Sequence, residues 1–362
     1  MHSNATQSPD DQCYRNITTT MTNITKDDDI KISCRNVWQL FGHRTKQFLR
    51  KHDYAPTFSQ ITEAGIIGAV RNVSFDVHEG EILMIMGLSG SGKSTMLRCI
   101  TQLLKPTSGE VLFDGVDLTA VSRSELTGIR RNKMGMVFQH FGLLPHRTVL
   151  ENIAFPLEIQ NVDKDERLAK AREMVEVVGL SGRESYFPRE LSGGQQQRVG
   201  IARSLSVEPD VWFLDEPFSA LDPLIRKEMQ DEFMRLQTQL NKCIVFVTHD
   251  FDEAVRLGDR IAIMKDGLLV QIGTAEELVT DPADGYVKAF VKNAPKAKLI
   301  SVGKIMEPVN SLSSSAEPVS ISAVLEDVAK QILLSEKDVP VSNKQGEIVG
   351  SVSKDTLAKA LF

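Results

Sequence analysis

Nine consecutive residues, Gly87-Leu88-Ser89-Gly90-Ser91-Gly92-Lys93-Ser94-Thr95, bring glycines, a lysine and hydroxyls together between an apolar run (82–86) and an amphipathic one (96–104). That order predicts a strand, a glycine loop and a helix. Glycines let successive backbone N–H groups turn inward on phosphate oxygens, and the helix that follows adds its positive end. In such a loop Lys93 reaches the β- and γ-phosphates of a nucleotide, and the Ser94 hydroxyl is placed to bind Mg²⁺. The strand before and the helix after distinguish this from a flexible Gly/Ser turn.

Polar residues also stand at the ends of three further apolar runs. Residues 133–138 close on Gln139, residues 211–214 deliver Asp215 and Glu216, and residues 244–247 end in Thr248-His249-Asp250. Parallel sheets place ligands at the carboxyl ends of their strands, so these clusters are expected along one edge. A second small, polar turn, Leu191-Ser192-Gly193-Gly194-Gln195, opens a helix over 196–206.

These groups need a scaffold, and the patterning supplies an α/β one. Strands are expected over 30–40, 70–78, 81–86, 110–113, 133–138, 211–214 and 244–247, with helices over 93–104, 124–131 and 224–239. A helical subdomain spans 148–190, with Leu168, Ala171, Val175 and Val178 at helical spacing. Residues 43–66 form a basic, aromatic-bearing helical insertion, read as a solvated helix or as a contact for lipid headgroups or a membrane subunit. Residues 1–29 read as a disordered polar tail. Beyond Pro295 arginine vanishes, and residues 296–362 are read as a separate small domain.

Composition narrows the function classes. With 362 residues there is room for two or three domains, and a net charge of −6 argues against nucleic acid as the main partner. Cys13, Cys34, Cys99 and Cys243 lack paired or metal-type spacing and read as reduced thiols. No run of about 18 apolar residues occurs, so the chain is expected to serve a membrane only as a peripheral subunit.

The ordered set of 87–94, Gln139, 191–195, Asp215-Glu216-Pro217, 219–222 and His249 resembles the ATP-binding cassette ATPases over about residues 31–293. The resemblance implies a P-loop cassette with a parallel-sheet core, an antiparallel β subdomain and a helical subdomain. It implies ATP and Mg²⁺, with Asp215 holding the metal alongside Ser94 and Gln139, Glu216 as general base, His249 at the γ-phosphate, and Gln139 touching both Mg²⁺ and the water. Ser192, Gly193, Gly194 and Gln195 resemble the signature that completes the opposing subunit's site, with Asp222 at the dimer contact. With one glycine loop and one signature, the chain must pair with a second copy of itself.

Certain stretches, including 85–92, 136–139, 218–226 and 258–264, resemble the importer ATPases for glycine betaine, proline betaine, choline and related quaternary amines. Pro217 and Gln195-Gln196-Gln197 depart from that subgroup. The subgroup implies an integral membrane permease, a periplasmic or lipid-anchored substrate-binding protein, and a place on the cytoplasmic face of the plasma membrane. It also makes Phe41, at the end of the first strand, the adenine platform. Amino acid or methionine import is the nearer alternative; action on nucleic acid or ribosomes is the rival class. Residues 299–362 resemble a single cystathionine-β-synthase-type (CBS) regulatory module.

Overall fold

Runs that are apolar on both faces become the central parallel strands, because only a strand covered by helices on each side can bury every side chain. The protein, a computed structural model, is described over residues 29–139, 142–308 and 316–361. The tail at 1–28, with Cys13, lies outside the described residues. In chain order come β1 (Ile30–Phe41), α1 (Thr45–Lys51), α2 (Phe58–Glu63), β2 (Ile67–His78), β3 (Ile82–Met86) and α3 (Lys93–Ile100). Next are β4 (Ser108–Phe113), β5 (Val116–Asp117), α4 (Arg123–Lys133), β6 (Met134–Val137), α5 (Val149–Ile159), α6 (Lys164–Val177) and α7 (Gly193–Leu205). Then follow β7 (Val211–Asp215), α8 (Pro223–Leu240), β8 (Cys243–Thr248), α9 (Phe251–Leu257), β9 (Arg260–Lys265) and β10 (Leu268–Gly273).

The main sheet runs β10-β9-β3-β8-β7-β6, parallel from β9 through β6, with β10 turned back antiparallel on β9. Strands β3, β7 and β8 are buried at every residue. Beside it lies an antiparallel sheet, β2-β1-β4-β5. The two sheets share one core: Ile32, Val73 and Phe75 of the second pack with Leu83, Ile85, Phe213 and Val245 of the first, over helix α3. On the other face Trp212, Phe218, Phe233 and Phe246 form an aromatic cluster with ring centroids 5.5–6.3 Å apart. Phe233 is fully buried at its centre. Phe233→Ala should cost about 3–5 kcal/mol, read as a lower urea midpoint, with binding motifs untouched in sequence.

The subdomain of α5 and α6 caps this second face through Val149, Ile153, Ala171 and Val175. Its helices start where side chains supply the missing acceptors: Thr148 and Glu151 close a capping box at α5, and Asp163 caps α6. Cys34, Cys99 and Cys243 are all buried, and burial pushes the Cys99 and Cys243 thiols up to about 12.

Residues 43–66 fold as two short helices, α1 and α2, with Leu49, Ile61 and Ile66 in a small core against Trp38 and Leu40 of β1. After β10 come α10 (Ala275–Thr280), α11 (Gly285–Val291), α12 (Lys296–Leu299) and α13 (Val302–Ile305). The chain closes with β11 (Val319–Ser320), α14 (Leu325–Leu334), β12 (Val339–Ser342), β13 (Ile348–Val352) and α15 (Lys354–Leu361). Its last sheet, β11-β12-β13, has its own core of Val319, Leu325, Ile332, Val341 and Val352. Ser301 ties this sheet's segment to α10, donating through both its backbone N–H and its hydroxyl to Glu276 Oε1 at 2.7 Å.

Candidate active site

The loop 87–92 is held open by backbone that only glycine permits. At Gly92 φ is +101°, and a Cβ there would stand 2.0 Å from the carbonyl oxygen of Ala69. Gly87 is wedged the same way, 2.2 Å from Met264 O. Below the loop, Gly267 N–H in the β9–β10 turn donates to Ser91 O at 3.0 Å. The loop therefore rests on two neighbouring strands.

Lys93 begins α3 and is 5% exposed. Its ammonium donates to Gly87 O at 2.9 Å and Leu88 O at 3.1 Å, and stands 4.0 Å from Glu216 Oε1. Burial holds its pKa below the ordinary lysine range, against the pull of Glu216 and Asp215. Ser94 Oγ donates to Asp215 Oδ1 at 2.7 Å. Burial raises the Asp215 carboxyl, and the Ser94 hydroxyl opposes the rise.

The strand ends converge as their apolar runs require. Strand β7 pairs with β8 through Asp215 and Val247, so Glu216 and His249 emerge side by side. His249 Nδ1 lies 3.0 Å from Glu216 Oε2. Glu216 has a left-handed backbone, φ +47°, unusual for a residue with a side chain, and its N–H is anchored on Val247 O at 3.0 Å. Glu216, His249, Gln139, Lys93, Ser94, Thr95, Leu88, Ser89, Gly90 and Gly92 all line one cavity of about 940 Å³. Asp215 joins it through Ser94. Gly87 and Ser91 form the underside of the loop.

Phe41 is placed differently. It is 42% exposed, pairs with Ile67 across β1 and β2, and does not line the cavity, whereas Ile67 does. Phe58, Ile61 and Thr62 of α2 also line it. Sequence reasoning missed these three because an insertion carries no motif. Their one signal was an aromatic interleaved with the basic residues of 43–66.

Ser192, Gly193, Gly194 and Gln195 open α7 away from that cavity. Ser192 caps the helix, its hydroxyl accepting from Gln195 N–H while the Gln195 side chain accepts from Ser192 N–H. Gly194 has no room for more: a Cβ would come within 2.6 Å of Ile225 Cγ2 on α8. Asp222 caps α8, its carboxylate accepting from Ile225 N–H at 3.1 Å.

A glycine loop on a parallel sheet, a hydroxyl-carboxylate pair beneath it and a carboxylate-imidazole pair beside it define a P-loop ATPase cassette. Comparison with known proteins gives the family. Residues 70–219 match the ABC transporter family. The chain is 54% identical over 334 residues to a trimethylamine N-oxide transport system ATP-binding protein of Pelagibacter ubique, covering 92% of this chain and 98% of that one. It is 42% identical to the glycine betaine/proline betaine transport ATP-binding protein of Escherichia coli, over 92% of this chain and 83% of that one. Among solved structures, the ATP-binding cassette MJ0796 in its dimeric, ADP- and phosphate-bound form is 36% identical, with a TM-score of 0.57, covering 67% of this chain and 98% of that one. The chain belongs to the ABC transporter family and is an ATP-hydrolysing transport subunit.

Proposed function

We propose that this chain energises import of a small methylated amine, a quaternary ammonium compound or amine oxide, through a separate permease. The observation that carries this is similarity running through nearly the whole of the trimethylamine N-oxide relative, C-terminal module included. A methionine import relative matches at 46% identity over 65% of this chain, which favours it less. No helix among the described residues is long and apolar enough to cross a membrane, in keeping with a separate subunit on the cytoplasmic face of the permease. A groove of about 330 Å³ between β6 and α5, lined by Met136, Phe138, Phe155 and Ile159, supports a permease contact there. A substrate-binding protein would deliver the amine outside.

In the proposed reaction Lys93 offsets the charge of the β- and γ-phosphates, and Glu216 accepts a proton from the attacking water. His249 holds the Glu216 carboxylate and faces the γ-phosphate, with Gln139 alongside. The donor set beneath the loop fits Mg²⁺: a serine hydroxyl and a buried carboxylate are hard oxygens, and phosphate oxygens complete such a site. Ser94, Asp215 and Gln139 would hold the metal, which supplies charge neutralisation of the phosphates. Ser192 to Gln195 stand apart from their own chain's cavity, which supports their acting on the site of a second copy, with Asp222 at the contact and two composite sites by two-fold symmetry. Residues 296–362, a single CBS-like unit, would regulate the cycle. Their deletion should leave basal ATP hydrolysis intact and change its dependence on salt.

The test is uptake of radiolabelled trimethylamine N-oxide, glycine betaine and choline in cells expressing the chain or its Lys93→Ala variant, with methionine in parallel. Loss of amine uptake in the variant is expected. Unchanged uptake of all three, with ATP hydrolysis verified as lost, would discard the substrate class; loss of methionine uptake would replace it.

A further inference from the structure

The imidazole of His249 reaches Glu216 at 3.0 Å, yet 55% of its side chain is exposed. Packing around the ring does little to hold it, so its aim depends on the backbone that carries it. Only His249 and Asp250 stand between Thr248, the last residue of β8, and Phe251, the first of α9. Whatever fixes the start of α9 also fixes the imidazole.

Helix α8 reaches that start with two side chains four residues apart, Arg226 and Gln230, which share one face. Arg226 Nη1 stands 3.5 Å from Asp250 Oδ2, while its Nη2 donates to Leu221 O at 3.2 Å. The other Asp250 oxygen accepts from Glu253 N–H at 3.2 Å and caps α9. One turn further along α8, the Gln230 amide donates to Glu253 Oε1 at 2.9 Å. Arg256 Nη1 donates to Gln230 Oε1 at 3.0 Å, which settles the way that amide faces. Glu253 is 5% exposed; burial raises its carboxyl, and the Thr248 hydroxyl and the Gln230 amide oppose the rise. A buried carboxyl bonded from a neighbouring helix is costly to leave bare, so the bridge resists parting. Arg226, Glu253, Glu216 and His249 line one small cavity of about 10 Å³. The bridge therefore stands directly behind the reacting pair.

We propose that Arg226 and Gln230, acting through Asp250 and Glu253, are positioning residues that aim the His249 imidazole at Glu216 and the γ-phosphate. None of the four lines the nucleotide cavity. The inference rests on the reading of Glu216 and His249 as the pair that acts on water and γ-phosphate. Because the bridge governs aim and touches no ligand, its loss should fall on kcat rather than on KM.

The experiment compares Arg226→Met and Gln230→Met in the full chain, each alone and combined with His249→Ala, with Arg235→Met as the control. Methionine keeps an unbranched stem and removes the donors. Arg235 lies on the same helix but bonds Glu232 and Val177 O rather than α9. Phosphate release against ATP concentration gives kcat and KM. Each bridge variant should lower kcat about tenfold with KM nearly unchanged, and Arg235→Met should change neither. Beside His249→Ala, neither bridge variant should lower kcat further. Unchanged kcat in both bridge variants, a full loss added to that of His249→Ala, or an equal loss in Arg235→Met would overturn the assignment. Where a methionine variant fails to fold, Arg226→Lys takes its place, keeping a cation for Asp250 but losing the second arm to Leu221 O. It should show a smaller loss that vanishes beside His249→Ala; an unchanged kcat, or a loss that persists there, overturns the proposal. His249→Ala alone tests the underlying reading, since parent kcat in that variant would refute the pair itself.

Discussion

Glu216→Gln is expected to bind ATP as the parent does and to release phosphate at least about a hundredfold more slowly, the range of general-base loss being 10²–10⁴. Glutamine has the same length and shape, and the site already accommodates a side chain at φ +47°, so no new backbone strain enters. The amide can keep its oxygen toward the Lys93 ammonium, 4.0 Å from Oε1, while its NH2 takes the place of Oε2 and donates to an unprotonated His249 Nδ1. What it loses is the capacity to take a proton from water. Bound ATP should therefore persist, and two copies should remain clamped, visible as an ATP-dependent dimer by light scattering. Undiminished phosphate release would remove Glu216 from the base role.

Gly92→Ala is expected to weaken ATP binding by about two orders of magnitude, roughly 3 kcal/mol. Two costs act together. The left-handed backbone disfavours alanine by about 1–2 kcal/mol, and the new Cβ meets Ala69 O at 2.0 Å, a backbone atom of β2 that cannot swing aside. The loop must lift, which tilts the Lys93 ammonium and the N–H groups away from the phosphates. Gly90→Ala separates the two costs. Its φ is +80° but nothing lies within 4 Å of the added carbon, so only the strain remains and the loss should stay near tenfold. Equal ATP affinities for the two variants, by equilibrium dialysis, would show that packing beneath Gly92 does not hold the loop.

Much of this site was legible in the sequence because its parts are local: a glycine loop between strand and helix, and polar residues at the ends of fully apolar strands. Burial of both faces is a strong signal, and β3, β7 and β8 fall where the apolar runs lie. Boundaries were less legible where side chains decide them. Helix α7 starts at Gly193 rather than Gln196, because the Ser192–Gln195 box compensates for two glycines with poor helix propensity. Helix α3 stops at Ile100 rather than 104, and Gln102 turns left-handed at φ +54°. Tertiary placement was not legible at all in the insertion. Nothing in residues 43–66 announces that α2 reaches the cavity, since its position depends on Ile61 finding Trp38 and Leu40 across β1. The antiparallel return of β10 depends likewise on the Asp266-Gly267 turn, whose N–H and carbonyl groups are used by the phosphate loop and by Arg71.

The phosphate loop meets part of its own hydrogen-bonding demand internally. The Lys93 ammonium donates to two carbonyls of the loop, and Leu88 N–H donates to the Tyr286 hydroxyl of α11 at 3.3 Å. A ligand must outcompete these internal partners, which sets a threshold on entry. One isolated phosphate group offers little beyond what the carbonyls and the tyrosine provide, whereas a polyphosphate tail bids for the ammonium and several N–H groups at once. A triphosphate would offset the loss of these internal contacts with several new ones, where a single phosphate group would offset it with few.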